Sequence, residues 1–370
     1  MKARASILLL ALLCGCVTVE ERGEVSSCDG INDTYWRDIC HMTEAVNSSN
    51  STICEKIEDQ DLLIKCLKKS DFLFEADTTT TTVEAATSTT VKAVKSTTQK
   101  AAPSTSTTAT TTSTTSTTLE ATVDVYFLDV GYGDSTLVVT SNTTMLTDCG
   151  PSANRLKRIL DDIGVERIDY LLVSQPTIED YGGCWTLMDT MDVVNVLDTG
   201  QEALSDRNIY VRYRGYAQLS EHTLVSEGYT LSFDGVDVTV LHPAETKPTS
   251  GRVTENALVY KLTYSDNTIL MTGDCDGECL GSLEGDLSAD ILKVPRHGAK
   301  QANTEEFISR VGPELAVVTP WKDRKEYPSP ETLDILSDAG VDVFNIMDGN
   351  TVKVTLRGAG YEVEPNLLFS

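Results

Sequence analysis

Basic residues are scarce: 30 Lys and Arg stand against 56 Asp and Glu in 370 residues, a formal net charge of −26. Phosphate neutralisation needs clustered cations, so this shortage argues against nucleic acid as a partner. No Gly-x-Ser-x-Gly elbow, phosphate-binding glycine loop or dinucleotide fingerprint accompanies the motifs described below. Large apolar side chains are almost absent from residues 76–122, which are dominated by Thr with Ser, Ala and one Pro. Such a tract cannot bury enough surface to offset its ordering entropy, so a disordered stalk is expected, reaching on the order of 100 Å if extended. At about 100–200 residues per domain, what is left fits one full-sized domain and one small one.

Lys2 and Arg4 precede the apolar run Ile7 to Leu13, which has the length of a signal-peptide core and is too short for a mature membrane span. Leu13-Cys14-Gly15-Cys16 resembles a bacterial-type lipobox, which makes Cys16 the expected lipidation site at the end of a leader over residues 1–16. Plain secretion with Cys16 unmodified and an uncleaved anchor are the alternatives. All three put the mature chain outside the cytoplasm, held at the membrane by its N-terminal anchor or secreted.

Eight cysteines remain. Cys28, Cys40, Cys54 and Cys66 form two similar Cys-x11-Cys units within residues 24–75, and each unit reads as a short helix. Pairing Cys28 with Cys66 and Cys40 with Cys54 gives an antiparallel helical hairpin. The other two pairings stay open, as does a zinc site, although no close Cys-x2-Cys pair favours one. A unit of about 50 residues is too small for a large core, so disulfides are its expected stabiliser and protein interaction or spacing its expected role.

Residues 123–370 read as many strands with a few interposed helices. Val123 to Val130 alternates, Gly131-Tyr132-Gly133-Asp134 makes a turn, and 135–140 and 145–148 continue as strands. Further strands are expected at 170–173, 192–197, 207–212, 237–241, 257–264, 268–273, 290–294, 315–319, 342–345 and 351–356. Helices are expected at 154–163, 303–311 and 329–339. This pattern describes a two-sheet α+β domain with its helices outside.

The motifs Phe127 to Ser135, Thr147-Asp148-Cys149-Gly150, Ile168 to Ser174, Gly182-Gly183, Met271-Thr272-Gly273-Asp274 and Leu292 to Gly298 occur in an order that resembles metallo-β-lactamase-fold domains. The nearest subgroup is the extracytoplasmic domain of ComEC-type competence proteins. The resemblance implies an αβ/βα sandwich with its site at one edge of the sheets. It also implies metal-dependent hydrolysis, with ions held chiefly by a His-x-His-x-Asp-His loop.

Here that loop reads Ser174-Gln175-Pro176-Thr177-Ile178-Glu179-Asp180, with Gln175, Thr177 and Asp180 where the resemblance implies histidines and Glu179 where it implies Asp. Asp274 stands at the bridging carboxylate, His297 is kept beside Arg296, and Tyr327 precedes Pro328 where relatives often carry His. His222 and His242 lie away from any motif and read as surface or packing residues. Two functions follow. One is a retired enzyme that binds a surface protein or a small ligand, with no cofactor. The other is a hydrolase rebuilt around a divalent metal such as Mn, Mg, Ca or Zn, held by Glu179, Asp180, Asp274, His297 and Asp148. In that case Asp180, Asp274 and His297 carry the catalysis. Cys149, Cys184, Cys275 and Cys279 are expected as disulfides, with a thiolate metal site or a nucleophile as lesser alternatives.

Overall fold

Period-two alternation shapes the first strand: in β1 (Val123–Phe127), Val123, Val125 and Phe127 are buried while Asp124 and Tyr126 are half-buried. β1 lies in an eight-stranded sheet with β2 (Thr136–Val139), β3 (Thr144–Thr147), β4 (Arg167–Val173), β5 (Asp192–Asp198), β6 (Glu221–Leu224), β14 (Thr351–Leu356) and β15 (Tyr361–Leu367). The order is β15-β14-β1-β2-β3-β4-β5-β6. A seven-stranded sheet orders β13 (Asp342–Asn345), β12 (Leu315–Val318), β11 (Ile291–Lys293), β10 (Asn267–Met271), β9 (Val259–Tyr264), β8 (Val236–His242) and β7 (Thr230–Phe233). The computed structural model describes residues 37, 41, 51–58, 121–246, 253–319, 321, 326–346 and 350–369.

Three apolar layers stack these elements. Phe127, Met145 and Leu172 meet Val240, Leu262, Ile291 and Val317 between the two sheets. On the outer face of the first sheet lie α1 (Ala153–Ile163), α2 (Ile178–Tyr181), α3 (Cys184–Thr190) and α4 (Arg207–Ala217), packed through Leu156, Leu160, Leu187 and Tyr213. The second sheet carries α5 (Gly277–Ser282), α6 (Glu305–Val311) and α7 (Pro330–Asp338) through Leu280, Phe307 and Leu336. The result is the expected αβ/βα sandwich. α1 shows why its residues choose a helix. Ser152 accepts a cap bond from the Asn154 N–H, Leu156, Ile159 and Leu160 share one buried face, and Gly164 ends the helix in the left-handed region at φ 87°.

One expected strand is a helix. The alternation of Ile209, Val211 and Tyr213 imitates a strand at 207–212, yet Tyr210, Tyr213, Tyr216 and Ala217 are all buried at helical spacing on α4. β6, β7 and β15 lacked a sequence signal, because they hold few fully buried residues. The leader with Cys16, the cysteines Cys28, Cys40 and Cys66, and residues 76–120 of the Thr-rich stalk lie outside the described residues. Cys54, in the short turn Ser51–Lys56, is buried and disulfide-bonded, and its partner also lies outside them.

β3, β4 and β5 run parallel, as do β10, β11 and β12. Loops after the carboxyl ends of parallel strands are where open α/β sheets gather ligand groups. In this domain they gather the acidic residues.

Candidate functional site

Buried ionisable side chains converge at that edge. Asp134 ends the glycine turn after β1, Asp148 follows β3, Asp180 lies in α2, Asp274 follows β10, Lys293 ends β11, and His297 lies in the next turn. Ligand atoms of Asp134, Asp274 and His297 lie within 4.8 Å of one another, and so do those of Asp134, Asp148 and Asp180. Asp134 is therefore the shared corner of two triads. Gly133 aims it: at φ 80° the backbone is left-handed, and a Cβ there would stand 2.1 Å from the Glu179 carbonyl oxygen.

Lys293 Nζ donates to Asp134 Oδ2 and, at 3.4 Å, to the Gly273 carbonyl. His297 Nε2 lies 3.3 Å from Asp274 Oδ1, while Nδ1 is 2.9 Å from Thr319 Oγ1. Asp148 Oδ1 accepts the Ser174 N–H at 2.8 Å, bracing the start of the loop that carries Asp180. Gln175 Nε2 donates to Asp180 Oδ2 at 2.8 Å, and the Thr177 hydroxyl donates to the same oxygen.

Four buried carboxyls thus face one ammonium and one imidazole. Burial raises Asp148 to about 7, against the pull of its Ser174 bond and with added repulsion from Asp134. Burial also raises Asp180 well above the usual carboxylate range, helped by Asp148, Asp274 and Asp134. Burial acts the same way on Asp134, but the Lys293 ammonium and His297 outweigh it and hold the group low. Lys293 is held in its charged form by Asp134 and Asp274 despite full burial.

The turn bearing His297 is strained. Arg296 and His297 both take left-handed backbone, at φ 47° and φ 54°, a conformation that costs roughly 1–2 kcal/mol for each non-glycine residue. Two disulfides flank the centre, Cys149–Cys184 with Cα atoms 5.2 Å apart and Cys275–Cys279 at 5.4 Å. They settle the use of these four cysteines, and each bridge starts one residue after a site aspartate.

Of the residues expected at the site, Asp148, Asp180, Asp274 and His297 come together. Glu179 joins neither triad. It neighbours Asp180 on a helical turn, where successive side chains diverge by about 100° and only one can face the centre. Asp134 and Lys293 were not anticipated. The signal for Lys293 was a lone charge between Leu292 and Val294 in an apolar strand, since a buried lysine needs a carboxylate partner.

His222 and His242 stay outside the centre. His242 Nδ1 bonds the Ala257 carbonyl at 2.9 Å. His222 Nε2 meets Asp198 Oδ2 at 3.0 Å, where the Tyr213 hydroxyl (2.6 Å) and Arg214 (3.1 Å) also converge. Burial opposes ionisation of Asp198, yet these partners bring it down to about 2. That cluster pins β5, α4 and β6 together.

No protein-family model matches the chain. It is similar to competence protein ComA of Neisseria gonorrhoeae, 28% identical over 209 residues that make up 54% of this chain and 27% of that protein. Recombination protein 2 of Haemophilus influenzae is 25% identical over 219 residues, covering 54% and 25%. ComE operon protein 3 of Bacillus subtilis is 27% identical over 135 residues, covering 35% and 17%. The chain spans about a quarter or less of the length of these relatives. Among solved structures, the metallo-β-lactamase fold protein YhfI from Bacillus subtilis aligns over 66% of this chain and all of its own, at 13% identity and a TM-score of 0.43. The four-layer architecture is that of the metallo-β-lactamase fold, and the sequence is similar to ComEC-type competence proteins over about half of the chain.

Proposed function

We propose that this domain is a binding module displayed outside the cytoplasm, in which a hydrolase-type centre has been rebuilt to hold one hard divalent cation. The observation that carries the reading is what became of the metal loop. Gln175 and Thr177 both spend their donors on Asp180 Oδ2, so the first half of the loop orients a carboxylate where imidazoles would bind metal. That arrangement does not fit a pair of zinc ions.

It does fit a single oxygen-seeking ion. Asp134 Oδ1, Asp180 Oδ1, Asp274 Oδ1, His297 Nε2, Ser174 Oγ and Gln175 Oε1 are all buried without a hydrogen-bond partner. Each such atom costs about 1–3 kcal/mol unless something satisfies it, and their concentration at one place points to a shared partner. Asp134, Asp274 and His297, whose ligand atoms lie within 4.8 Å of one another, would hold the ion, with Asp180 beside Asp134 in the second triad, and carboxylate-rich donor sets suit Mg²⁺, Mn²⁺ or Ca²⁺. Such an ion supplies positive charge that polarises a ligand oxygen. Asp148 keeps the loop in place, Gln175 and Thr177 turn Asp180, and Lys293 balances Asp134.

Two disulfides agree with an oxidising compartment, and anchoring through Cys16 remains part of the proposal. Among the described residues no helix is long and apolar enough to cross a membrane. The acidic charge speaks against DNA as the ligand, despite the competence names of the relatives. A hydrolase with the same centre is the second reading, favoured by the meeting of Asp274 and His297 with Asp134.

The test is elemental analysis of the full chain, disulfides intact, after dialysis against Mn²⁺, Mg²⁺ and Zn²⁺, beside Asp274→Ala/His297→Ala. Phosphodiester and ester turnover is measured on the same samples. One equivalent of Mn²⁺ or Mg²⁺, lost in the variant, without turnover is expected. Metal-dependent turnover would select the hydrolase, and two equivalents of Zn²⁺ would overturn the single-ion reading.

A further inference from the structure

A pocket of about 50 Å³ opens beside the centre, lined by Asp274, Arg296, His297, Trp321 and Tyr327. A single water needs roughly 10–15 Å³ by such a measure, so the space admits a group of phosphate or carboxylate size. The other ionisable groups around it belong to the centre already described. Asp274 faces His297 at 3.3 Å, and Lys293 is paired with Asp134. Arg296 differs: among the described residues its guanidinium has no hydrogen-bond or ion-pair partner, in a chain with 56 acidic residues.

The fold holds this arginine in place against local preference. Arg296 and His297 are both left-handed, and their turn is fastened from several sides. The Arg296 N–H donates to the Gly273 carbonyl at 3.2 Å, and His297 Nδ1 engages Thr319. The Gly298 carbonyl accepts from the Ser329 N–H and the Thr332 hydroxyl, both at 2.9 Å. Gly298 is required, because a Cβ at its φ of 82° would sit 2.5 Å from Pro328 Cβ. Strain kept by this many restraints gathers at working sites, and here it sets an unpaired cation on the wall of a pocket also lined by Trp321, whose ring lies 4.7 Å from that of His297.

We infer that this pocket binds the oxyanion group of a small ligand, a carboxylate or a phosphoryl group, gripped by the Arg296 guanidinium. A guanidinium offers a planar fork of donors that matches two oxygens of one such group, which a lysine or histidine at this position would not do. The inference rests on the binding-module reading and names its ligand class. The neighbouring acids set the preference: an anion here sits close to Asp274, so a cation held by the carboxylates would strengthen the anion's binding.

The test uses the full chain, disulfides intact, titrated calorimetrically with inorganic phosphate, methyl phosphate and acetate, each with and without Mn²⁺. Arg296→Gln and Arg296→Lys are run in parallel, with circular dichroism melts to confirm folding. Saturable binding is expected, weakened at least tenfold by Arg296→Gln and less by Arg296→Lys, with the melts unmoved because Arg296 has no side-chain partner to lose. The preferred probe tells phosphoryl from carboxylate. Absence of saturable binding by any probe, or equal affinity in Arg296→Gln, overturns the inference. Arg296-dependent anion binding without Mn²⁺ uptake leaves it standing and removes the cation reading, whereas Mn²⁺ uptake without anion binding does the reverse.

Discussion

Replacing Lys293 with methionine keeps an unbranched side chain one heavy atom shorter and removes the charge from a position 2% exposed to solvent. Asp134 then loses the partner that holds it ionised, with Asp274 and Asp180 nearby in the same field. Removing one member of a buried pair destabilises by about 3–5 kcal/mol, and a Coulomb interaction of about 4 kcal/mol at 4 Å with an effective dielectric of 20 agrees. That is a large part of the roughly 5–15 kcal/mol that stabilises a domain. The assay is urea unfolding of the full chain at neutral pH in chelator, for Lys293→Met, Asp134→Asn and the double variant. The double variant should lose clearly less than the two singles added together, because the second change removes a charge already stranded. Repeating the series with saturating Mn²⁺ adds a second readout. If the carboxylates hold a cation, it should restore Lys293→Met more than it stabilises the wild type, since a divalent ion takes over the work of the ammonium. A loss under about 1 kcal/mol in Lys293→Met, or strict additivity in the double variant, would refute the idea that this ammonium balances the centre.

Three further outcomes are expected. Burial raises Asp148 from its ordinary 3.8 to about 7, so the folded chain keeps a proton that the unfolded chain gives up. Stability in chelator should therefore fall as pH rises from about 4 to about 7, by up to about 1.4 kcal/mol per pH unit for that group, with Asp180 acting in the same sense; urea midpoints that stay flat across this window would contradict it. The Cys149–Cys184 bridge closes 35 positions and Cys275–Cys279 only 4; loop-closure entropy gives about 4 and about 2 kcal/mol, so the paired Ala variants should rank in that order in thermal melts. Tyr213→Phe removes a 2.6 Å bond to the Asp198 carboxylate and should lose about 1.5–3 kcal/mol while leaving Mn²⁺ uptake unchanged, as titration calorimetry would check.

Much of the fold was legible because its strands announce themselves locally. Val123, Val125 and Phe127 alternate, and the buried run of β4 needs no partner to be recognised. α4 was misread for the opposite reason: its β-branched and aromatic composition outweighed a stripe of tyrosines that only burial reveals. At the site, Asp148, Asp180, Asp274 and His297 stood in order-bearing motifs and could be named. Asp134 and Lys293 could not be joined, because each is informative only beside the other. Glu179 was placed with Asp180 because the two are adjacent in sequence, and adjacency on a helical turn separates side chains.

The pairing of Lys293 with Asp134 joins residues 159 positions apart. Asp134, Asp148 and Asp180 come from the first half of the domain, and Asp274, Lys293 and His297 from the second. The centre is therefore a product of docking between halves: the triad of Asp134, Asp148 and Asp180 lies in the first, and the ammonium that balances Asp134 comes from the second. β1 itself is flanked by β14, from near the end of the chain. Loop closure over such spans must precede any reward from the contacts, so the acids of the first half wait, mutually repelling, until the lysine strand arrives. The ion pair at this edge therefore reports on the meeting of the two sheets, since it forms only where β11 lies against the turn after β1.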